Sequence, residues 1–159
     1  MSHNTYSDDH LRGIFEKVRT IAMVGASPNW NRPSYFVMKY LQLKGFRVLP
    51  VNPRAAGEIV LGEKVHGSLD EVSEAIDMVD VFRSSEEALG ITEQAIAKGA
   101  KVVWMQIGIA NHEAAKRAEK AGLEVIMNRC PKIEYSRLNG ELSWGGFNSR
   151  IISSKRRRI

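Results

Sequence analysis

An open α/β sheet with helices on both faces is the fold class this sequence predicts, and three observations carry it. Short runs that are apolar at consecutive rather than alternating positions occur at five places, as strands buried on both faces require. Amphipathic stretches with helix start and stop residues lie between them. The alternation repeats roughly every 25–30 residues, the length of a strand–helix unit.

Each element has its own signal. A leading helix is expected from Asp8 to Lys17, before a first strand from Thr20 to Val24. Pro33 suits a first helical turn and Gly45 follows the last, which frames a helix over Ser34 to Lys44. The second strand runs from Phe46 to Val51, and the segment Gly57 to Gly67 then interrupts the rhythm as a polar hairpin or loop. Ser68-x-x-Glu71 and Ser84-x-x-Glu87 both match the capping box, with a third strand, Met78 to Phe82, between them. A fourth strand spans Lys101 to Ile107. Asn111 caps a helix through Lys120 that stops at Gly122, and a fifth strand covers Leu123 to Met127. With right-handed crossovers these units predict a Rossmann-like, doubly wound, mainly parallel five-stranded sheet of order 3-2-1-4-5. Its ligand crevice lies beyond the carboxyl ends of strands one and four, where the winding reverses.

The bulk properties exclude several functions. A length of 159 residues suits one domain, read as residues 1–138 with a C-terminal extension at 139–159. The formal charge of +5 sits in the last ten residues, at Arg150, Lys155, Arg156, Arg157 and Arg158. Without those five, the remaining basic residues match the 18 acidic ones in number, so the body is neutral. That argues against a nucleic-acid reader and leaves the tail as a solvated end or a polyanion-binding arm. Apolar runs such as Ile21 to Val24 fall far short of the ~20 residues a membrane helix needs. The N-terminus carries Asp8 and Asp9, unlike a secretory signal. A single cysteine, Cys130, cannot form an internal disulfide, which fits a cytoplasmic location.

The loops at the carboxyl ends of the strands carry the chemistry. The first contains Gly25, Ala26 and Ser27, then Arg32, Pro33, Ser34 and Tyr35 at a helix start. A helix N-terminus offers free amides and positive potential to a diphosphate, and Arg32 adds a bidentate cation. No second glycine follows Gly25 before Gly45, so the dinucleotide fingerprint is missing. The second strand ends in Asn52-Pro53 instead of the acid that grips an NAD ribose, while Arg54 after it suits a ribose phosphate and leaves NADP open. A P-loop is absent as well. The third strand delivers Phe82 and Arg83, the fourth Gln106 and Gly108, and the fifth Arg129 and Cys130.

Catalytic signals are weak. His66 and His112 lack partners at metal-ligand spacing, so no metal is expected. His3 and His10 fall in an N-terminal segment read as mobile. Asp77 and Asp80 flank the third strand and read as caps or water-facing groups. Ligand binding without turnover is the expectation.

The segments Val24 to Pro28, Asn31 to Tyr35, Pro50 to Pro53, Val79 to Arg83, Val103 to Gly108 and Met127 to Pro131 together closely resemble the small stand-alone CoA-binding proteins. That family is similar in fold to the N-terminal CoA-binding domain of the succinyl-CoA synthetase α subunit. The resemblance spans about Leu11 to Leu138. It implies coenzyme A or an acyl-CoA lying across the first loop, the Asn52-Pro53 turn, the Phe82-Arg83 corner and the end of the Gln106 strand. Ligase chemistry does not carry over, because the synthetase's phosphorylated histidine belongs to a domain outside the match. Asn128 stands where some family members have Asp. The alternative reading is an enzyme acting on CoA thioesters or exchanging thiols through Cys130. A protein partner or a homo-oligomer remains compatible with either.

Overall fold

The computed structural model describes residues 2–140. The expectations for the basic tail and for all but the first two residues of the extension lie outside the described residues. Helix α1, Asp8–Lys17, begins where the Ser7 side chain accepts from the backbone of His10, with Asp8 and Asp9 in its first turn. Its apolar face, Leu11, Ile14 and Phe15, is buried. Strand β1, Thr20–Val24, is parallel to β2, Arg47–Val51, and the crossover between them carries α2, Pro33–Leu43. A two-stranded hairpin of β3, Ile59–Val60, and β4, Glu63–Lys64, occupies the expected interruption. Then come β5, Met78–Val81; α3, Ser85–Ala97; β6, Val102–Met105; α4, His112–Lys120; β7, Glu124–Ile126; and α5, Pro131–Leu138.

The five long strands form one parallel sheet in the order β2-β1-β5-β6-β7. This is the expected Rossmann-like order once the isolated parallel bridge between His66 and Val51 is counted. There the His66 amide donates to Pro50 O at 2.9 Å and Asn52 N–H donates to His66 O at 2.8 Å. That stub outside β2 fills the third place. The strand at Met78, expected third, therefore stands fourth, directly beside β1, and the Phe82-Arg83 corner emerges at the reversal of winding.

Two apolar layers sandwich the sheet. One joins Met23 and Trp104 to α1, α2 and α5, with Phe15 against Tyr135 edge-on at 5.2 Å and against Trp104 at 5.5 Å. The other sets Val79, Val81 and Val103 against α3 and α4, whose small Ala88, Ala95, Ala114 and Ala118 permit close approach. Helix α5 has no counterpart among the expected elements, although Pro131 at its first position is a start signal.

Local chemistry corrects three expectations. Ser84 and Glu87 form the full capping box of α3, but Ser68 caps only a short 3-10 turn and makes no side-chain cap bond. The Glu71 carboxylate accepts instead from Gly67 N–H at 2.7 Å. Asp77 does cap, accepting from Arg19 and Thr20 N–H at 2.9 and 3.0 Å, whereas Asp80 is fully buried. A central strand covered on both faces leaves it no route to water. Finally, His3 is held in place. Its ring bonds the Tyr6 hydroxyl at 2.9 Å and the Glu119 carboxylate at 2.7 Å, and Tyr6 in turn accepts from Met127 N–H. Among the described residues no helix is long and apolar enough to cross a membrane.

Candidate functional site

The site begins at the carboxyl end of β1. Gly25 takes φ +96° and donates its N–H to Val51 O at 2.8 Å. A Cβ on it would lie 2.6 Å from the Phe82 carbonyl oxygen, so only glycine lets the first loop pass against the β5 exit. The loop is then pinned by its own polar side chains. Ser27 N–H donates to Ser34 Oγ at 2.9 Å, and Asn29 N–H donates to Ser27 Oγ at 3.1 Å. Asn52 ties this loop to the end of β2: its Nδ2 donates to Ala26 O at 2.8 Å, while its Oδ1 accepts from Arg54 N–H at 3.0 Å.

These bonds gather three corners around a cleft of about 490 Å³. Arg32, Arg54 and Arg83 all line it, together with Gly25, Ser27, Pro33, Ser34, Asn52 and Phe82. Arg32 and Arg54 form no ion pair among the described residues. Arg83 bonds Glu87 at 2.9 Å, and that bond, aided by Ser84, holds the Glu87 carboxyl down to about 2. Glu87 is thus charged at any working pH and steadies the guanidinium it touches. Among the described residues Glu58 is the one carboxylate lining the cleft. The N-terminus of the eleven-residue α2 also opens here, adding positive potential.

A second, apolar pocket of about 420 Å³ adjoins the first and shares Pro33 and Phe82 with it. Val37, Ile107, Ile109 and Ile133 supply its apolar wall, and Gln106 and Cys130 also line it. Gln106 is 8 % exposed, yet its Oε1 has no hydrogen-bond partner among the described residues. Cys130, 6 % exposed, is the N-cap of α5 and makes no side-chain cap bond.

Five expected site residues line neither cavity. Ala26 contributes only its carbonyl to Asn52. Tyr35 packs beside the core, Pro53 opens the short 3-10 turn, and Gly108, at φ +85°, donates its N–H to Asn128 Oδ1 at 2.7 Å. The Arg129 guanidinium lies over the Tyr6 ring at 5.2 Å and donates to Asn128 O and Asn4 O. The wall residues Val37, Ile107, Ile109 and Ile133 were not foreseen. Val37 follows Pro33 by one helical turn and so shares its face, which is the signal that finds it. Among the described residues no group of three or more His, Cys, Asp or Glu side chains is placed to hold a metal ion.

Residues 19–136 match a family model described as a CoA binding domain. The chain is 36% identical over 130 residues to the uncharacterized protein YneT of Bacillus subtilis, covering 82% of this chain and 95% of that one. It is also similar to the solved structure of a hypothetical protein from Pyrococcus horikoshii OT3, with 42% identity, 88% and 100% of the two chains covered, and a TM-score of 0.81. A Thermus thermophilus structure, cell-free ID.343, gives 38% identity, coverage of 84% and 99%, and a TM-score of 0.79. With the family model covering most of its length, and a sheet whose carboxyl edge opens into a cationic cleft beside an apolar one, the chain belongs to the CoA binding domain family.

Proposed function

We propose that this chain binds coenzyme A or an acyl-CoA and does not turn it over, acting as a carrier, sensor or partner module. The adenine nucleotide with its phosphates occupies the arginine-lined cleft, and the pantetheine arm occupies the apolar pocket. The observation that carries this reading is the contiguity of the two cavities through Pro33 and Phe82. Coenzyme A has the same division: a polyanionic nucleotide joined to a slender arm that is mostly apolar and bears two amides. Three guanidinium groups suit the first part. The unpaired Gln106 Oε1 suits an amide N–H of the second, because a buried acceptor left without a donor costs about 1–3 kcal/mol. Among the described residues no carboxylate or histidine lines the apolar pocket, which supports binding over acid–base chemistry.

The test is native mass spectrometry of freshly purified full-length protein, with the released small molecule identified. Coenzyme A or an acyl-CoA is expected. A different dinucleotide, or an empty protein that takes up no added CoA, contradicts the reading.

Arg32→Ala is expected to weaken CoA binding by about 1.5–3 kcal/mol, roughly 10- to 150-fold, through loss of charged hydrogen bonds to phosphate. Far-UV circular dichroism stays unchanged, since the side chain is exposed and supports no core. Unaltered affinity in calorimetry would make Arg32 a solvated loop residue.

A further inference from the structure

Cys130 is the chain's single cysteine, packed at the margin of the apolar core where it also lines a ligand-sized pocket. Two observations bear on it. The thiol lines the apolar pocket without serving as a helix cap. Independently, Gln106, more than nine-tenths buried, lines the same pocket with an acceptor oxygen that nothing among the described residues satisfies. The unsatisfied oxygen calls for a polar, hydrogen-donating ligand in a space otherwise walled by Val37, Ile109 and Ile133. An amide-bearing arm that ends in sulfur matches the chemistry of that lining.

We propose that Cys130 is a thiol–disulfide exchange site for CoA disulfides, loaded by a ligand whose nucleotide is held in the arginine cleft. The inference rests on the CoA-binding reading above and adds a covalent step to it. Cys130 releases its proton to solvent, and its sulfur attacks one sulfur of the CoA disulfide. A new S–S bond joins Cys130 to one CoA as the old S–S bond breaks. The other CoA leaves as a thiolate and is protonated by solvent. Cys130 is oxidised and the departing half is reduced, so the disulfide is itself the oxidant. The reverse exchange with a free thiol restores Cys130. The pocket thus becomes a device for storing or reporting CoA in its oxidised form.

The experiment incubates the reduced full-length protein with CoA disulfide or with glutathione disulfide at equal concentration and follows intact mass. Because the chain holds one cysteine, any disulfide adduct is on Cys130. The expected result is a gain of one CoA less two hydrogens, reversed by dithiothreitol. Its rate should exceed that of the glutathione adduct by about tenfold or more, because binding raises the local concentration of the reacting sulfur. Adding adenosine 3′,5′-bisphosphate, which fills the nucleotide cleft but carries no thiol, should slow the CoA adduct alone. An unmodified mass in protein that calorimetry shows to be saturated with CoA overturns the exchange site and leaves the binding reading intact. Equal rates for the two disulfides overturn it too, reducing Cys130 to an ordinary thiol. Absence of both adduct and CoA binding overturns both.

Discussion

Gly25→Ala is expected to lower the free energy of unfolding by about 3 kcal/mol, the sum of an unfavourable backbone conformation and a collision. The conformational part arises because φ +96° is a region that residues with a Cβ rarely adopt. The collision arises because the new methyl would meet the Phe82 carbonyl at 2.6 Å and the Arg83 side chain at 2.9 Å. Phe82 follows β5 directly and its N–H donates to Val24 O at 2.8 Å, so the clash is with backbone and not with a free side-chain end. Gly108→Ala is the matched control. Its φ of +85° imposes similar backbone strain, but a Cβ there meets nothing within 4 Å. It should cost only about 1 kcal/mol. Urea denaturation of the two variants reads the difference, and equal losses would mean that β1 and β5 are not packed as described. Because the Gly25 turn also sets the spacing between the first loop and Arg83, Gly25→Ala should lose CoA affinity as well.

Asp80→Asn is expected to change how stability depends on pH. Asp80 lies in register between Met23 of β1 and Trp104 of β6, fully buried, and neither carboxyl oxygen has a partner among the described residues. Burial alone pushes its carboxyl well above the usual carboxylate range. Between the unfolded value near about 4 and the raised folded value, the unfolded chain ionises while the folded chain keeps its proton. Stability from this group is therefore full at acid pH and is lost as pH rises through that window, by up to about 1.4 kcal/mol per pH unit. Asparagine keeps the shape and cannot ionise. The variant should match the parent near pH 4 and become progressively more stable than it toward neutrality. Denaturant titrations from acid to neutral pH check this, and a constant offset at every pH would show that packing, not ionisation, dominates.

Much of this fold is legible locally. Thr20–Val24 and the helix at Asp8–Lys17 are bounded by caps and burial patterns that the residues themselves carry, and Asn111 and Ser84 cap where their chemistry says they should. Strand placement is less local. The place of Met78–Val81 beside β1 depends on the one-residue stub at His66, which no propensity marks. Asp80 misleads for a related reason: in a strand covered on both faces, no alternation separates inside from outside. At the site, the polar cleft follows from Gly25, Arg32, Asn52, Arg54 and Arg83, residue types whose chemistry announces phosphate. Its apolar neighbour is harder to foresee, because a single isoleucine such as Ile107 or Ile133 is ordinary on any surface. Arg129 adjoins Cys130 in sequence, yet Tyr6, from the far end of the chain, captures its guanidinium.

Calorimetry of one protein preparation against CoA, NAD, NADP and ATP tests the central claim most directly. The proposal that a nucleotide takes the arginine-lined cleft and a slender arm the adjoining apolar pocket predicts that CoA binds tightest, since of the four ligands only CoA carries the pantetheine arm. NAD binding tighter than CoA would contradict the account, because a ligand without the pantetheine arm would then be the one the site is built to hold.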